Sequence, residues 1–367
     1  MTKPPTTDKP SIIIIDDLPS YRRVALVRDG VLDQLWIDDA ADHTPQPGAV
    51  FAARVAQIFA GHDRATFELK IDAHAEGRAA EPIMASGRIT SDQAKTLKPG
   101  QIIPVVVSAL PREDKPLQVK IKGDVSPKDL PPQPRLISPA PDALARALAV
   151  EPEAVVVHDD TGEPWAAYGC DDALEQALAK TLHHPSGAIV QINTPPGAAV
   201  IDLDSGASGL PPFDLSCQLI PFIMRQIRLR RIAGPVVIDF PRVNPEQQRQ
   251  LNDLIKAEAK RDPEKPSLHG FTRGGLYTLA RPWRWQALSD VLQDDGASMG
   301  RSALRLIRRH RAMNIQGGIT IAINDEGLDW LKGDGADALN VLTADLAFSP
   351  EFRSDNTRAT AVVDEPA

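Results

Sequence analysis

The chain of 367 residues is 42% hydrophobic and 25% charged, the balance of a folded soluble protein with room for several domains. A formal net charge of −8 excludes a surface that grips nucleic acid by overall charge alone. Cys170 and Cys217 stand far apart without CxxC spacing, which excludes a zinc knuckle or disulfide framework and suits a reducing, cytoplasmic setting. The run IIII after MTKPPTTDKP is too short for a signal peptide, and nothing approaches the roughly 20 apolar residues of a membrane span.

In SIIIIDDLPSYRRVALVRDG (11–30) an apolar run ends in Asp16-Asp17, as a phosphate-accepting receiver domain begins. A receiver also needs a later buried strand ending in a lone Asp and another ending in Lys, and neither follows. Residues 11–37 instead predict two strands around an Asp29-Gly30 hairpin turn. From 49 to 123, VFAARVAQIFA, RATFELKI, IIPVVVSAL and LQVKIKG are short alternating segments broken by Gly, Pro and Asp. Five or so such strands predict a small closed β-barrel of the OB type over 45–124. The proline-rich stretch 125–141 predicts a semi-rigid linker.

DALARALAV then reads as a helix, AVVVHD as a strand and CDDALEQALAKTL as a second helix. From 186 the order is strand GAIVQINT, strand GAAVIDLDSG, helix LSCQLIPFIMRQIRLRRIAG and strand PVVIDF, with Gly234 as helix C-cap and Pro221 marking a kink or the helix start. NPEQQRQLNDLIKAEAKR is an amphipathic helix capped by Asn244. A strand at SLHGF and a helix near GLYTLARPWRWQALSDVL follow. Residues 297–360 read as a small α+β unit: helix SALRLIRRHRAMN, strand GITIAIN, helix EGLDWLKG and strands near ALNVLTADL.

Two features point to chemistry. If 200–204 is a strand, its two-residue period puts Asp202 and Asp204 on one face with Val200, and Asp239 ends a wholly apolar strand. Were those strands neighbours, three carboxylates would converge at a sheet end, an arrangement a hard cation such as Mg²⁺ compensates. Caps or turns at strand ends would explain the same aspartates. Arginines also cluster, at 225, 228, 230 and 231 and at 301, 305, 308, 309 and 311; each set reads equally as a phosphate contact or a solvated helix face.

PSGAIVQINTPPGAAVIDLDSG, then RQIRLRRIAGPVVIDF and SLHGFTRGGLYTLAR, resemble the catalytic core of the ribonuclease E/G family. The resemblance implies an α/β and β multidomain chain. Residues 11–37 with 142–185 would form a reduced RNase H-like scaffold, 45–124 an inserted S1-type OB barrel, 186–292 a DNase I-like catalytic domain, and 297–360 a small C-terminal α+β domain. Asp202 and Asp239 would bind the catalytic Mg²⁺, with Mn²⁺ as an alternative, for hydrolysis of single-stranded RNA. Asp204 would support the metal or the attacking water, at a position where the family usually has Asn. Arg273 falls on a basic residue of an HxxR-like stretch and would meet phosphate, as would Arg225 and Arg228; an alternative for Arg273 is a surface salt bridge.

By the same resemblance Asp16 and Asp17 sit at a turn with no catalytic part. Phe67 falls where one S1 aromatic stacks on RNA, or else in the barrel core, and Lys115 falls near a basic RNA contact. A second S1 aromatic is lost around Gly77-Arg78. His158 and Asp159 replace the 5′-monophosphate sensor, and no CPxC zinc link is present, so a zinc-linked tetramer is not expected and a monomer or dimer is. The sequence thus predicts a metal-dependent endoribonuclease without 5′ sensing; an RNA-binding or assembly protein that has lost catalysis is the alternative.

Overall fold

The computed structural model describes residues 10–71, 82–112, 115–123, 130–292, 295–313, 315, 317–344, 346, 348–357 and 360–363. Gly77-Arg78 and residues 125–129 of the expected linker lie outside them. The chain groups into two compact units: one gathers residues up to 42 with 143–282 and those from 287 onward, the other 43–142 with Trp283–Gln286.

The first unit opens with three antiparallel strands, β1 (Ile12–Leu18), β2 (Tyr21–Arg28) and β3 (Val31–Asp39). The Asp29-Gly30 turn forms as expected, with both residues at positive φ. Asp16 and Asp17, expected at a turn, are instead strand residues opposite Arg23 and Arg22. The turn falls at Pro19-Ser20, where Ser20 takes a positive φ, because strand pairing continues as far as Leu18 opposite Tyr21.

The second unit is the barrel: β4 (Val50–Phe59), β5 (Arg64–Leu69), β6 (Ile83–Arg88), α1 (Ser91–Thr96), β7 (Ile102–Ala109), β8 (Leu117–Ile121) and β9 (Arg135–Ser138). Strand β4 pairs with both β5 and β7, and β8 joins β7 to β6, closing a five-strand ring in which only the β6–β8 pairing is parallel. That is the OB order. The proline-rich stretch is not wholly a linker: β9 hydrogen-bonds to β4 outside the ring, since its prolines precede and follow Arg135–Ser138 and leave those four residues free to pair. Trp285 packs against the barrel core, and the Leu110 N–H donates to the Arg284 carbonyl at 2.9 Å.

Back in the first unit, α2 (Ala143–Val150) precedes β10 (Val155–His158), which lies parallel to β1 and completes the sheet β10-β1-β2-β3. Helices α3 (Glu163–Ala167) and α4 (Cys170–Leu178) follow. The helix expected over 170–182 stops at Leu178, because Thr181–His183 pair as strand β11.

A six-stranded sheet, β11-β12-β13-β14-β16-β15, comes next. It comprises β12 (Ile189–Asn193), β13 (Ala199–Asp204), helix α5 (Pro212–Leu229), β14 (Gly234–Asp239), helix α6 (Pro245–Ala259), β15 (Ser267–Phe271) and β16 (Leu276–Arg281). Residues 276–281, expected as helix, alternate half-buried and buried and form the strand between β14 and β15. Helix α5 runs through Pro221, and the left-handed residue behind it is Arg231, while Gly234 already belongs to β14. Val190, Ile192, Ile201, Leu203, Val236, Ile238, Tyr277 and Leu279 form one core with residues of α5 and α6.

After α7 (Leu288–Leu292) come α8 (Asp295–Ala312), β17 (Thr320–Ile323), α9 (Asp325–Lys332), α10 (Ala336–Thr343), β18 (Glu351–Ser354) and β19 (Val362–Val363), with sheet order β18-β17-β19. Residues expected as strands near ALNVLTADL form α10, whose Ala338 and Leu342, four apart, face the core.

Candidate functional site

Alternation along β13 points Ala199, Ile201 and Leu203 into the core and leaves Val200, Asp202 and Asp204 exposed. Along β14, Val236 and Ile238 are buried and Asp239 is exposed. The two strands are parallel, and their register sets Asp202 directly beside Asp239. Adjacent strands are about 4.8 Å apart, so two carboxylates share one face at one strand end. Both are solvated, although Asp239 ends a wholly apolar strand: α5 and α6 cover only one face of the sheet, and Gln191 and Asn193 of β12 are exposed on the other. Among the described residues neither Asp202 nor Asp239 forms a salt bridge.

Asp204 takes a different job. Its Oδ1 accepts the Gly206 N–H at 2.8 Å, which turns the chain out of β13 toward α5. Gly206 has φ 54°, and a Cβ there would lie 2.5 Å from the Gly187 carbonyl, so only glycine fits. That carbonyl accepts the Ala207 N–H at 3.0 Å and seats the turn on the neighbouring loop. The expected convergence therefore reduces to a pair: among the described residues no three His, Cys, Asp or Glu side chains lie close enough together to hold a metal.

Topology gathers further groups at the same end. Because β13 and β14 are parallel, α5 and α6 begin just beyond it and present their positive ends there. Helix α6 is fixed by a capping box in which the Asn244 side chain accepts the Gln247 N–H at 2.9 Å. Leu276 of β16 is the register partner of Asp239, so the Thr272–Gly275 turn carries Arg273 to this end, exposed. Arg242, which the sequence reading passed over, is exposed three residues after Asp239; its signal was a lone basic residue between a strand-terminal Asp and a helix cap. Neither arginine has a salt bridge among the described residues.

The helix α5 arginines do not belong to this face. Arg228 is 1% exposed and ion-pairs with Asp33 at 2.5 Å and Glu258 at 3.9 Å. Arg228 is therefore a structural cation, not a phosphate contact, because the face it shares with Arg225 is the one docked toward β3. Arg225 is half-buried, with its guanidinium 5.4 Å from the Phe222 ring centroid, and burial lowers its pKa. Arg230 and Arg231 donate to the Gln176 and Leu35 carbonyls. Three of the five arginines of the second cluster are structural as well: Arg305 and Arg308 reach Asp16 at 2.7 Å each, and Arg301 reaches Asp39 at 2.6 Å, while Arg309 and Arg311 are exposed.

In the barrel, Phe67 is 0% exposed and offers no face to a base. It shares strand parity with buried Ala65 and Leu69, which makes it core, not a stacking platform. Lys115 is exposed at the β7–β8 connection, its backbone paired with Arg112. Asp159 is 1% exposed; its carboxylate accepts the Gly162 and Trp165 N–H groups at 2.5 and 2.9 Å and so organises the start of α3.

Residues 139–284 match the ribonuclease E/G family. Ribonuclease G of Haemophilus influenzae is 29% identical over 136 residues, 35% of this chain and 28% of that protein. Ribonuclease G of Escherichia coli K12 is 28% identical over 133 residues, 34% and 27% of the two chains. Ribonuclease E of a Nostoc species is 26% identical over 152 residues, 39% and 22%. The matches thus span about a quarter of those relatives' lengths. Among the described residues no helix is long and apolar enough to cross a membrane.

Proposed function

We propose that this chain, whose residues 139–284 match the ribonuclease E/G family, is a metal-dependent endoribonuclease acting on single-stranded RNA, with 186–292 as its DNase I-like catalytic part. The observation that carries this reading is the register that sets Asp202 beside Asp239 on a solvated sheet end, without a cationic partner among the described residues. Two hard carboxylate donors fit Mg²⁺, which takes one or two carboxylates and fills its shell with water and phosphate. Bound there, the ion would supply an activated water and shield charge on the scissile phosphodiester.

The chain's own residues do the rest. Asp202 and Asp239 hold the ion, and the Asp204–Gly206 turn holds the strand end that carries Asp202. An Asn side chain offers the same oxygen to the Gly206 N–H, so Asp204→Asn keeps the turn. Arg242 and Arg273 meet the phosphates that flank the cut, and the helix N-termini add positive potential. The Asp159 carboxylate, committed to backbone amides, supports a reading without 5′-monophosphate sensing.

The test is cleavage of an end-labelled, AU-rich single-stranded RNA with Mg²⁺, Mn²⁺ or EDTA. Internal cuts that need metal and fall by roughly a hundredfold or more in Asp239→Asn are expected. No cuts with either metal would overturn the enzyme reading. A second reading, an RNA-binding protein without catalysis, is favoured by the absence of a three-group metal cluster among the described residues; salt-sensitive binding without cuts would establish it.

A further inference from the structure

The outer face of the barrel carries two arginines directly opposite one another. The antiparallel register of β5 and β6 pairs Arg64 with Arg88. Residues so paired project from the same face with Cβ atoms about 5 Å apart, an unfavourable place for like charges. Both are exposed, and among the described residues neither forms a salt bridge. The nearest acid in sequence, Asp63, pairs with neither; its carbonyl accepts the Ile89 N–H at 3.0 Å and so fastens the β4–β5 turn to the end of β6. Arg54 on the same barrel, by contrast, has Glu68 at 3.9 Å.

On the other side of Arg64 stands Phe59 of β4, its register partner, half-buried and outside the barrel core. Three adjacent strands thus lay out a row: aromatic ring, guanidinium, guanidinium. Residues 43–142 hold 13 Lys and Arg against 11 Asp and Glu, a net +2 in a chain whose net charge is −8. Paired guanidiniums without a carboxylate call for an anion with several oxygens, which a phosphodiester supplies, and the neighbouring ring for a flat π-face, which an unpaired base supplies.

We infer that Phe59, Arg64 and Arg88 form a single-strand subsite on the barrel's outer face, the arginines clamping the backbone and the ring stacking a base. The inference rests on the reading of the substrate as single-stranded RNA. The experiment is fluorescence anisotropy of a labelled AU-rich single strand with the full chain in EDTA, over a salt series.

Arg64→Ala combined with Arg88→Ala should weaken binding about tenfold and reduce the log–log salt slope by about 0.7 per arginine. Phe59→Leu, which keeps apolar bulk, should weaken binding several-fold and leave the slope unchanged. A double variant with wild-type thermal melting, affinity and slope would overturn the assignment, as would a duplex bound as tightly as the single strand with Phe59→Leu silent. Binding through this row by a chain that never cuts would sink the nuclease proposal and leave the subsite standing. Asp239-dependent cutting with affinity untouched by the double variant would do the reverse.

Discussion

The two units differ in how most of their arginines are used. In the first, Arg23, Arg28, Arg228, Arg281, Arg305 and Arg308 are tied to Asp16, Asp33 and Asp262 within salt-bridge distance, most of them nearly closed to solvent. In the barrel, Arg64, Arg88 and Arg135 are exposed with no ion pair among the described residues. Runs of arginine in sequence are therefore a poor guide to where a polyanion docks. Most of the clustered arginines bolt helices α5 and α8 to the first sheet, and the isolated ones, Arg242 and Arg273 in loops and Arg64 and Arg88 on strands, are left without an ion pair among the described residues.

That contrast can be broken at its strong end first. Asp33→Ala leaves Arg28 and Arg228 without their shared carboxylate, and a loss of roughly 3–5 kcal/mol in urea unfolding is expected. A change below about 0.5 kcal/mol would mean that the buried pairs are ornamental. Acid sharpens the same point. Burial alone would raise the pKa values of Asp33 and Asp16, but Arg228 around the first, and Arg305, Arg23 and Arg308 around the second, hold both below the ordinary value. Their contribution is complete above an unfolded-state pKa of about 4 and is lost as pH falls from there through the folded-state values. Thermal melts of the wild type should drop steeply below about pH 4, and those of Asp33→Asn less so.

Smaller effects belong to the barrel and the sheet end. Phe67→Leu, a contraction inside the core, should cost about 1 kcal/mol by denaturant midpoint and leave RNA affinity within about twofold. A large affinity loss at unchanged stability would return Phe67 to the binding surface. Smallest of all, Asp202→Asn and Asp239→Asn should move stability by no more than about 0.5 kcal/mol in either direction, because both side chains are solvated. Stabilisation would fit relief of repulsion between adjacent like charges.

Much of the scaffold was legible because local patterns determine it. The alternation in AVIDLD, the Asn244 capping box, the Asp29-Gly30 hairpin and the barrel strands all follow from period and turn chemistry. The pairing of Asp202 with Asp239 followed from two strands joined by a helix, which a right-handed crossover lays side by side. What failed was partner identity. A helical period shows that Arg225 and Arg228 share a face, but not that Asp33 lies against it. Phe67 was left open between RNA stacking and the barrel core, although its parity with Ala65 and Leu69 already favoured the core; the opposite parity, Arg64, faces Phe59 across the strands. GLYTLAR and ALNVLTADL are short apolar runs that period alone does not divide between helix and strand.

The loan of Trp283–Gln286 to the barrel has a consequence for synthesis. The last barrel strand, β9, ends at Ser138, but Trp285, which packs on the barrel core, emerges from the ribosome only after the whole six-stranded sheet has been translated. The nascent barrel must wait with that side of its core open, and residues 43–142 expressed alone should yield a looser, more protease-sensitive body. Supplying a peptide that contains Trp283–Gln286 should tighten it, so the four residues act as a late-arriving stopper in an otherwise early-folding vessel.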